Sequence, residues 1–290
     1  MLYDDLLIYC ARKGCPELLR KSAFRKYCRR NRGAVAHVLT KEGFVIKTVI
    51  GDSVDNVICV YGVYEEPTTR VIKALAKKCD SFIDVGCNIG YYSCLFGMQH
   101  PAARLFGIDL NPEMINRTRE NLKLNNLENV TLLAIGAGAS KCKMTLNIPE
   151  DRHSLSSLAY VPQRSNKVNI RTLQVDIEPL GNIIAQHEIS KALLKIDAEG
   201  FEYQVFSGLS EQSIQSIQFI IFELSSKNLS RAQMKVPDLF SFPWMSRFNI
   251  YRIAEQDKGL ISESVHSLVS SQSSANILLA PKDTPLHELL

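Results

Sequence analysis

Long apolar runs are missing from this chain. No stretch approaches the ~20 residues of a membrane-spanning helix, and the one apolar run near the start, Leu6 to Cys10, follows Asp4 and Asp5, where a secretion signal carries positive charge. Paired cysteines are missing too. The eight cysteines, at 10, 15, 28, 59, 79, 87, 94 and 142, stand singly, without the spacing of a zinc site or the density of a disulfide scaffold. They are expected to be reduced thiols in a cytoplasmic protein, and the Asn-x-Ser/Thr sequences at Asn116, Asn129 and Asn228 to be chance occurrences. An excess of one charge is also absent: 34 Lys and Arg face 30 Asp and Glu, so nothing in the global balance calls for nucleic acid. Internal repeats and low-complexity tracts are lacking. What remains is 290 residues, 46% of them hydrophobic, enough for one α/β domain with an N-terminal extension.

From Met1 to Arg32 the sequence mixes apolar and basic residues and ends in Arg25-Lys26-Tyr27-Cys28-Arg29-Arg30-Asn31-Arg32. Two readings stand: a surface helix in weak contact with a membrane or an acidic partner, or a solvated extension packed on the domain. Val45 to Ile50 and Asn56 to Val60 are predicted as two strands around Gly51-Asp52-Ser53, which places an extension over 1–63 and the main domain over 64–290. After Cys79 strands and helices alternate. Ser81 to Val85, Arg104 to Asp109, Asn129 to Ile135, Ala192 to Asp197 and Ile217 to Glu223 are predicted strands, with late strands near Phe248 to Ile253 and Ala275 to Ala280. Helices are expected from Tyr91 to Met98, from Asn111-Pro112-Glu113 to Asn125-Asn126, and from about Phe201. Cys142 to Ile148 and Val168 to Val175 flank a polar loop, Glu150 to Asn166, and read as an inserted hairpin or lid; Ser262 to Ser274 reads as a turn. Such alternation specifies a mostly parallel sheet with helices on both faces.

In open α/β sheets ligands bind beyond the carboxyl ends of the strands. The first strand-to-helix turn is Asp84-Val85-Gly86-Cys87-Asn88-Ile89-Gly90. Gly86 and Gly90 let the chain turn sharply and let a ligand lie against backbone amides, and Asp84 adds a carboxylate suited to a cationic ligand end. A dinucleotide-binding oxidoreductase is the competing reading. Its pyrophosphate loop requires G-x-G-x-x-G, whereas this loop is G-x-N-x-G with an acid at its head, which repels an anion and attracts the ammonium of S-adenosylmethionine. Asp109 ends the next strand, where a carboxylate can accept both ribose hydroxyls. A non-catalytic module that kept the fold is a third reading, opposed by the intact acids.

Phe82-Ile83-Asp84-Val85-Gly86-Cys87-Asn88-Ile89-Gly90-Tyr91-Tyr92-Ser93, Gly107-Ile108-Asp109-Leu110-Asn111-Pro112, Leu194-Lys195-Ile196-Asp197-Ala198-Glu199-Gly200-Phe201-Glu202 and Phe219-Ile220-Ile221-Phe222-Glu223 resemble the successive signatures of FkbM-type methyltransferases. The resemblance runs from about Tyr64 to Ala280 and departs from the family at Cys87, often Ala there, and at Asp109, often Glu. It implies a class I, Rossmann-like, seven-stranded α/β fold and S-adenosylmethionine as cofactor. The expected cofactor contacts are Asp84, Gly86, Asn88, Gly90, Asp109 and Leu110, with Gly136 and Ala137 after the third strand; the resemblance adds Glu65, as a residue closing over the site. The implied reaction is methylation of a hydroxyl on a sugar, glycan, polyketide or lipid.

Were the strand at Lys195 to continue to Glu199, Lys195, Asp197 and Glu199 would share one face. Asp197 or Glu199 is then expected to orient the acceptor hydroxyl and act as general base, with Lys195 holding the local charge. The bland alternative has Glu199 capping the next helix. Asp197 with Glu223 offers a thin magnesium site, and His153 in the polar loop is a further candidate base.

Overall fold

The computed structural model describes residues 17–149, 170–254, 259–270 and 274–289. Cys10, Cys15 and the polar loop with His153 lie outside them. Helix α1 (Glu17–Arg30) leads into an antiparallel hairpin, β1 (Val35–Leu39) and β2 (Val45–Val49), in which Val35 faces Val49 and Leu39 faces Val45. The predicted strand at Asn56 to Val60 is instead part of helix α2 (Ser53–Tyr61). The Asp52 side chain accepts the Val54 N–H at 3.4 Å and caps it, and Gly62, at φ +70°, ends it. Burial of Asp55, Ile58 and Cys59 at helical spacing decides the matter, which a short apolar run leaves open. Helix α3 (Glu66–Ala76) follows.

The alternating part comprises β3 (Ser81–Val85), α4 (Tyr91–Gln99), β4 (Arg104–Ile108), α5 (Pro112–Leu124) and β5 (Val130–Leu133). Three strands then form a separate small sheet, β6 (Gly136–Gly138), β7 (Cys142–Pro149) and β8 (Ile170–Pro179), in the order β6-β8-β7, so the expected hairpin is present with β6 added. Next come α6 (Leu180–Gln186), β9 (Ala192–Ile196), α7 (Glu202–Ser207), β10 (Ile217–Leu224), α8 (Ser226–Arg231) and α9 (Val236–Leu239). The chain closes through β11 (Phe248–Ile253), β12 (Leu260–Ser262), α10 (Val265–Ser270) and β13 (Ala275–Pro281).

The main sheet has eight strands in the order β12-β11-β13-β10-β9-β3-β4-β5. The short β12 is the addition to the seven expected, and α10 occupies what reads as a turn between Ser262 and Ser274. Strands β10, β9, β3, β4 and β5 run parallel to one another, and β13 inserts antiparallel between β10 and β11. Along each central strand successive side chains enter opposite cores. Phe82, Leu193, Phe219 and Ile221 join Ile72, Leu95, Phe96 and Leu122 on one face. Ile83, Leu194, Ile220 and Phe222 join Ile183, Val205 and Phe206 on the other. Phe44, Ile46 and Ile58 belong to the first of these cores, so the hairpin and α2 pack into the main body of the molecule. Among the described residues no helix is long and apolar enough to cross a membrane.

From β3 the chain moves outward to β4 and β5, then returns to lay β9 on the other side of β3. The strand order reverses between β3 and β9, and that switch point is where an open α/β sheet leaves a crevice.

Candidate active site

The turn after β3 is fixed by what its residues lack. Gly86 has φ +78°, and a Cβ there would stand 2.0 Å from the Asp197 carbonyl oxygen, so only glycine admits this contact with the end of β9. Gly90, at φ +79°, has the Thr118 methyl 2.7 Å from where its Cβ would be. Asn88 lies between them at φ +51°. Its N–H donates to Asp109 Oδ2 at 2.9 Å, and its carbonyl accepts from the Thr118 hydroxyl at 2.7 Å. Asp109 Oδ1 accepts the Asn111 N–H at 2.8 Å. Each Asp109 oxygen thus holds one backbone donor and keeps a second lone pair; burial pushes the carboxyl up to about 6 against those bonds.

Asp84 and Lys195 are register partners on β3 and β9, facing the side covered by α4. Asp84 Oδ2 accepts from Ser93 Oγ at 2.8 Å, while Oδ1 is buried with no partner. Burial raises its pKa, opposed chiefly by Lys195. The Lys195 ammonium donates to Asp197 Oδ2 at 3.2 Å and sits 4.8 Å from the centre of the Tyr92 ring. Burial pulls its pKa down, but Asp197, Asp84 and Glu65 outweigh that and hold it above the usual lysine value. Glu65, at φ +39° before α3, accepts from the Tyr92 hydroxyl at 2.7 Å and from Asn276 Nδ2 at 3.0 Å. Val54, Tyr64, Asn88, Tyr92, Lys195 and Asp197 wall a small cleft over the glycine loop.

Strand β9 ends at Ile196, so the expected alternation through Glu199 does not occur. Glu199 takes φ +50° and Gly200 φ +99°, which turns the chain sharply. The motif's last acid, Glu202, holds that turn: its Oε1 accepts the N–H groups of Ala198, at 3.3 Å, and Gly200, at 3.1 Å. A Cβ on Gly200 would lie 2.7 Å from the Asn228 carbonyl oxygen, and that close approach brings the Asn228 amide to Glu199 Oε2 at 3.0 Å. Glu199, Glu202 and Glu223 are each pushed up to about 7, by burial first and then by Asp197 and one another. Among the described residues no three His, Cys, Asp or Glu side chains converge to hold a metal ion.

Leu110 and Gly136 meet beside the small sheet, with Leu110 Cδ2 2.6 Å from where a Gly136 Cβ would be, and Ala137 is buried next to them. These three are not among the residues that wall the cleft. Tyr64, Tyr92, Thr118, Asn228 and Asn276 were not among the expected site residues. Tyr92 lies inside the quoted motif, but nothing in the sequence marks Asn276, which reaches Glu65 only because β13 inserts beside β10.

The family model described as the FkbM methyltransferase domain matches residues 84–252, more than half of the chain. The chain belongs to this family. It is 25% identical over 162 residues to Methyltransferase 1 of Beauveria bassiana (strain ARSEF 2860), covering 50% of this chain and 65% of that protein. To Methyltransferase sdnD of Sordaria araneosa it is 23% identical over 179 residues, covering 53% and 69%. The chain thus spans just under two thirds of the first relative's length. Among solved structures, the O-methyltransferase from Bacillus cereus in complex with SAH is similar at 10% identity and a TM-score of 0.42, over 75% of this chain and 82% of that one.

FkbM methyltransferases use S-adenosylmethionine, which answers the dinucleotide alternative. The site fits that cofactor. Asp84 Oδ1 and Asn88 Oδ1 are buried acceptors without donors at a turn suited to an ammonium, and Asp109 has lone pairs for a pair of ribose hydroxyls.

Proposed function

We propose that the protein methylates a hydroxyl of a small-molecule or glycan acceptor, a sugar, polyketide or lipid, with Glu199 as the group that takes the hydroxyl proton. S-adenosylmethionine supplies an electrophilic methyl on a sulfonium. Transfer of that methyl to the acceptor oxygen, with the carbon–sulfur electron pair returning to sulfur, would release the hydroxyl proton, and Glu199 would take it up. Alignment in a water-poor site does most of the work. Asp84, Asn88 and Asp109 would hold the cofactor, and Lys195 would balance the acids around it.

The observation that carries the reading is the Glu199 carboxylate. One oxygen is fixed by Asn228, and burial with Asp197 and Glu202 brings its pKa to about 7, where a general base is most effective near neutral pH. Glu199 does not cap the helix that follows: α7 begins without a side-chain cap bond, and the Glu199 carboxylate lies against Asn228 instead.

The test is titration calorimetry with S-adenosylmethionine and with NAD, on wild type and Asp109→Ala, followed by a labelled-methyl screen of glycans, polyketides and lipids. Saturable S-adenosylmethionine binding, weakened by the substitution, and label on an acceptor oxygen are the expected results. NAD binding without S-adenosylmethionine binding overturns the cofactor assignment; label transfer only to nitrogen or sulfur overturns the hydroxyl.

A further inference from the structure

The cleft over the glycine loop has two walls from distant parts of the chain. One is the loop itself; the other includes Val54, in the first turn of α2. Helix α5 is tied to both at adjacent residues. Thr118 grips the loop, its hydroxyl on the Asn88 carbonyl and its methyl against Gly90. Arg117, one residue earlier, holds Asp55, one residue after Val54. Its Nη1 donates to Asp55 Oδ2 at 3.2 Å and its Nη2 to Asp55 Oδ1, a forked pair. Asp55 Oδ1 also accepts the Val49 N–H at 2.6 Å, and Asp55 has no solvent exposure.

A buried ion pair of this kind is weak evidence for stability, since an apolar pair of similar volume serves as well or better. It does fix geometry, because an arginine fork admits one orientation of its carboxylate. We infer that Asp55 and Arg117 are positioning residues for the cofactor: their pairing sets the distance between Val54 and the Gly86–Gly90 loop, so that the segment before the motif region forms part of the cofactor site. The inference rests on the cofactor reading. A second tie supplies the contrast. Lys47 on β2 pairs with Glu120 on α5 at 2.8 Å, joining the same segment to the same helix at the surface, and neither residue walls the cleft.

The test is calorimetry of the full chain with S-adenosylhomocysteine, with melting temperatures recorded in parallel. Asp55→Asn keeps the side-chain size but loses the ionic fork, Val54→Ala keeps the fork but removes the wall, and Lys47→Ala cuts the surface tie. Asp55→Asn and Val54→Ala are expected to weaken binding about tenfold, and Lys47→Ala to leave it unchanged. Because Asp55 acts through Val54, the double variant should bind no more weakly than the weaker single one, a coupling that a purely structural pair does not produce. Lower melting temperature with wild-type affinity in both single variants overturns the inference, as does full additivity. Should Asp55→Asn not fold, Arg117→Lys and Val54→Ala decide by the same readings. Absence of S-adenosylhomocysteine binding by the wild type rejects the cofactor assignment itself, and the inference with it.

Discussion

Glu199 sits at φ +50°, a left-handed conformation that costs a residue with a side chain on the order of 1 kcal/mol or more. Glu202 holds the turn and Asn228 holds the carboxylate, so the carboxylate is placed independently of cofactor contacts. Glu199→Gln should therefore lower kcat by about 10²- to 10⁴-fold and leave the affinity for S-adenosylhomocysteine unchanged. In wild type the rate should rise with pH as this carboxyl loses its proton near 7 and level off above it, and the variant's profile should lose that rise. Unchanged turnover in Glu199→Gln removes it from the reaction. Gly86 tests the other side of the crevice. A methyl there meets the Asp197 backbone carbonyl, which cannot swing aside as a side chain can, at 2.0 Å and at φ +78°. Gly86→Ala should cost on the order of 3 kcal/mol in urea unfolding, and a cost below about 1 kcal/mol would show that the strands separate easily.

At the scale of elements, the hairpin is docked on α5 by two asparagines that imitate a neighbouring strand. Asn125 Oδ1 accepts the Val45 N–H at 2.8 Å while its Nδ2 donates to the Val45 carbonyl at 2.7 Å, and Asn121 Oδ1 accepts the Lys47 N–H at 2.8 Å. Asn125→Ala leaves both Val45 groups unpaired, so it should destabilise by about 1–3 kcal/mol and speed hydrogen exchange at the Val45 amide. Wild-type exchange there would mean that water replaces the side chain. These same elements show what a sequence reveals. Strands β3, β4, β9 and β10 were legible because alternating apolar residues serve two cores, and α5 because Asn111, Pro112 and Glu113 begin it in the expected way. Helix α2 was misread because its run from Val57 to Tyr61 is apolar at every position, leaving no period to distinguish helix from strand. The glycine loop, Asp84 and Asp109 could be found from local spacing. Asn228 and Asn276 could not, because sheet order alone brings them to Glu199 and Glu65. The shared face expected for Lys195, Asp197 and Glu199 failed at Glu199, since the strand stops three residues short of it.

Across the whole molecule, the switch point concentrates negative charge. Glu65, Asp84, Asp197, Glu199, Glu202 and Glu223 gather at the ends of β3, β9 and β10, with Lys195 as the buried cation among them. An electrostatically strained crevice suits a cofactor with both a sulfonium and an ammonium, and it has a stability consequence. Glu199, Glu202 and Glu223 lie at about 7, against an ordinary 4.5. Between those values the folded chain holds protons that the unfolded chain releases, so these groups favour folding most at pH below 4.5 and oppose it progressively as pH rises through 7. Carboxyls held by donors act the other way: exposed Glu120 is lowered by Lys47, and half-buried Glu263 by Ser267 with Arg252. A single pH curve therefore mixes both signs, and the difference between a variant and wild type isolates one group. Glu223→Gln removes a charge that Asp197, Glu199 and Glu65 repel. Its urea midpoint, measured without cofactor, should match wild type below about pH 4.5, exceed it increasingly from there to about 7, and keep that lead at higher pH. A constant difference across that range would mean that Glu223 titrates at its ordinary value and that the acids at the switch point do not share their charge.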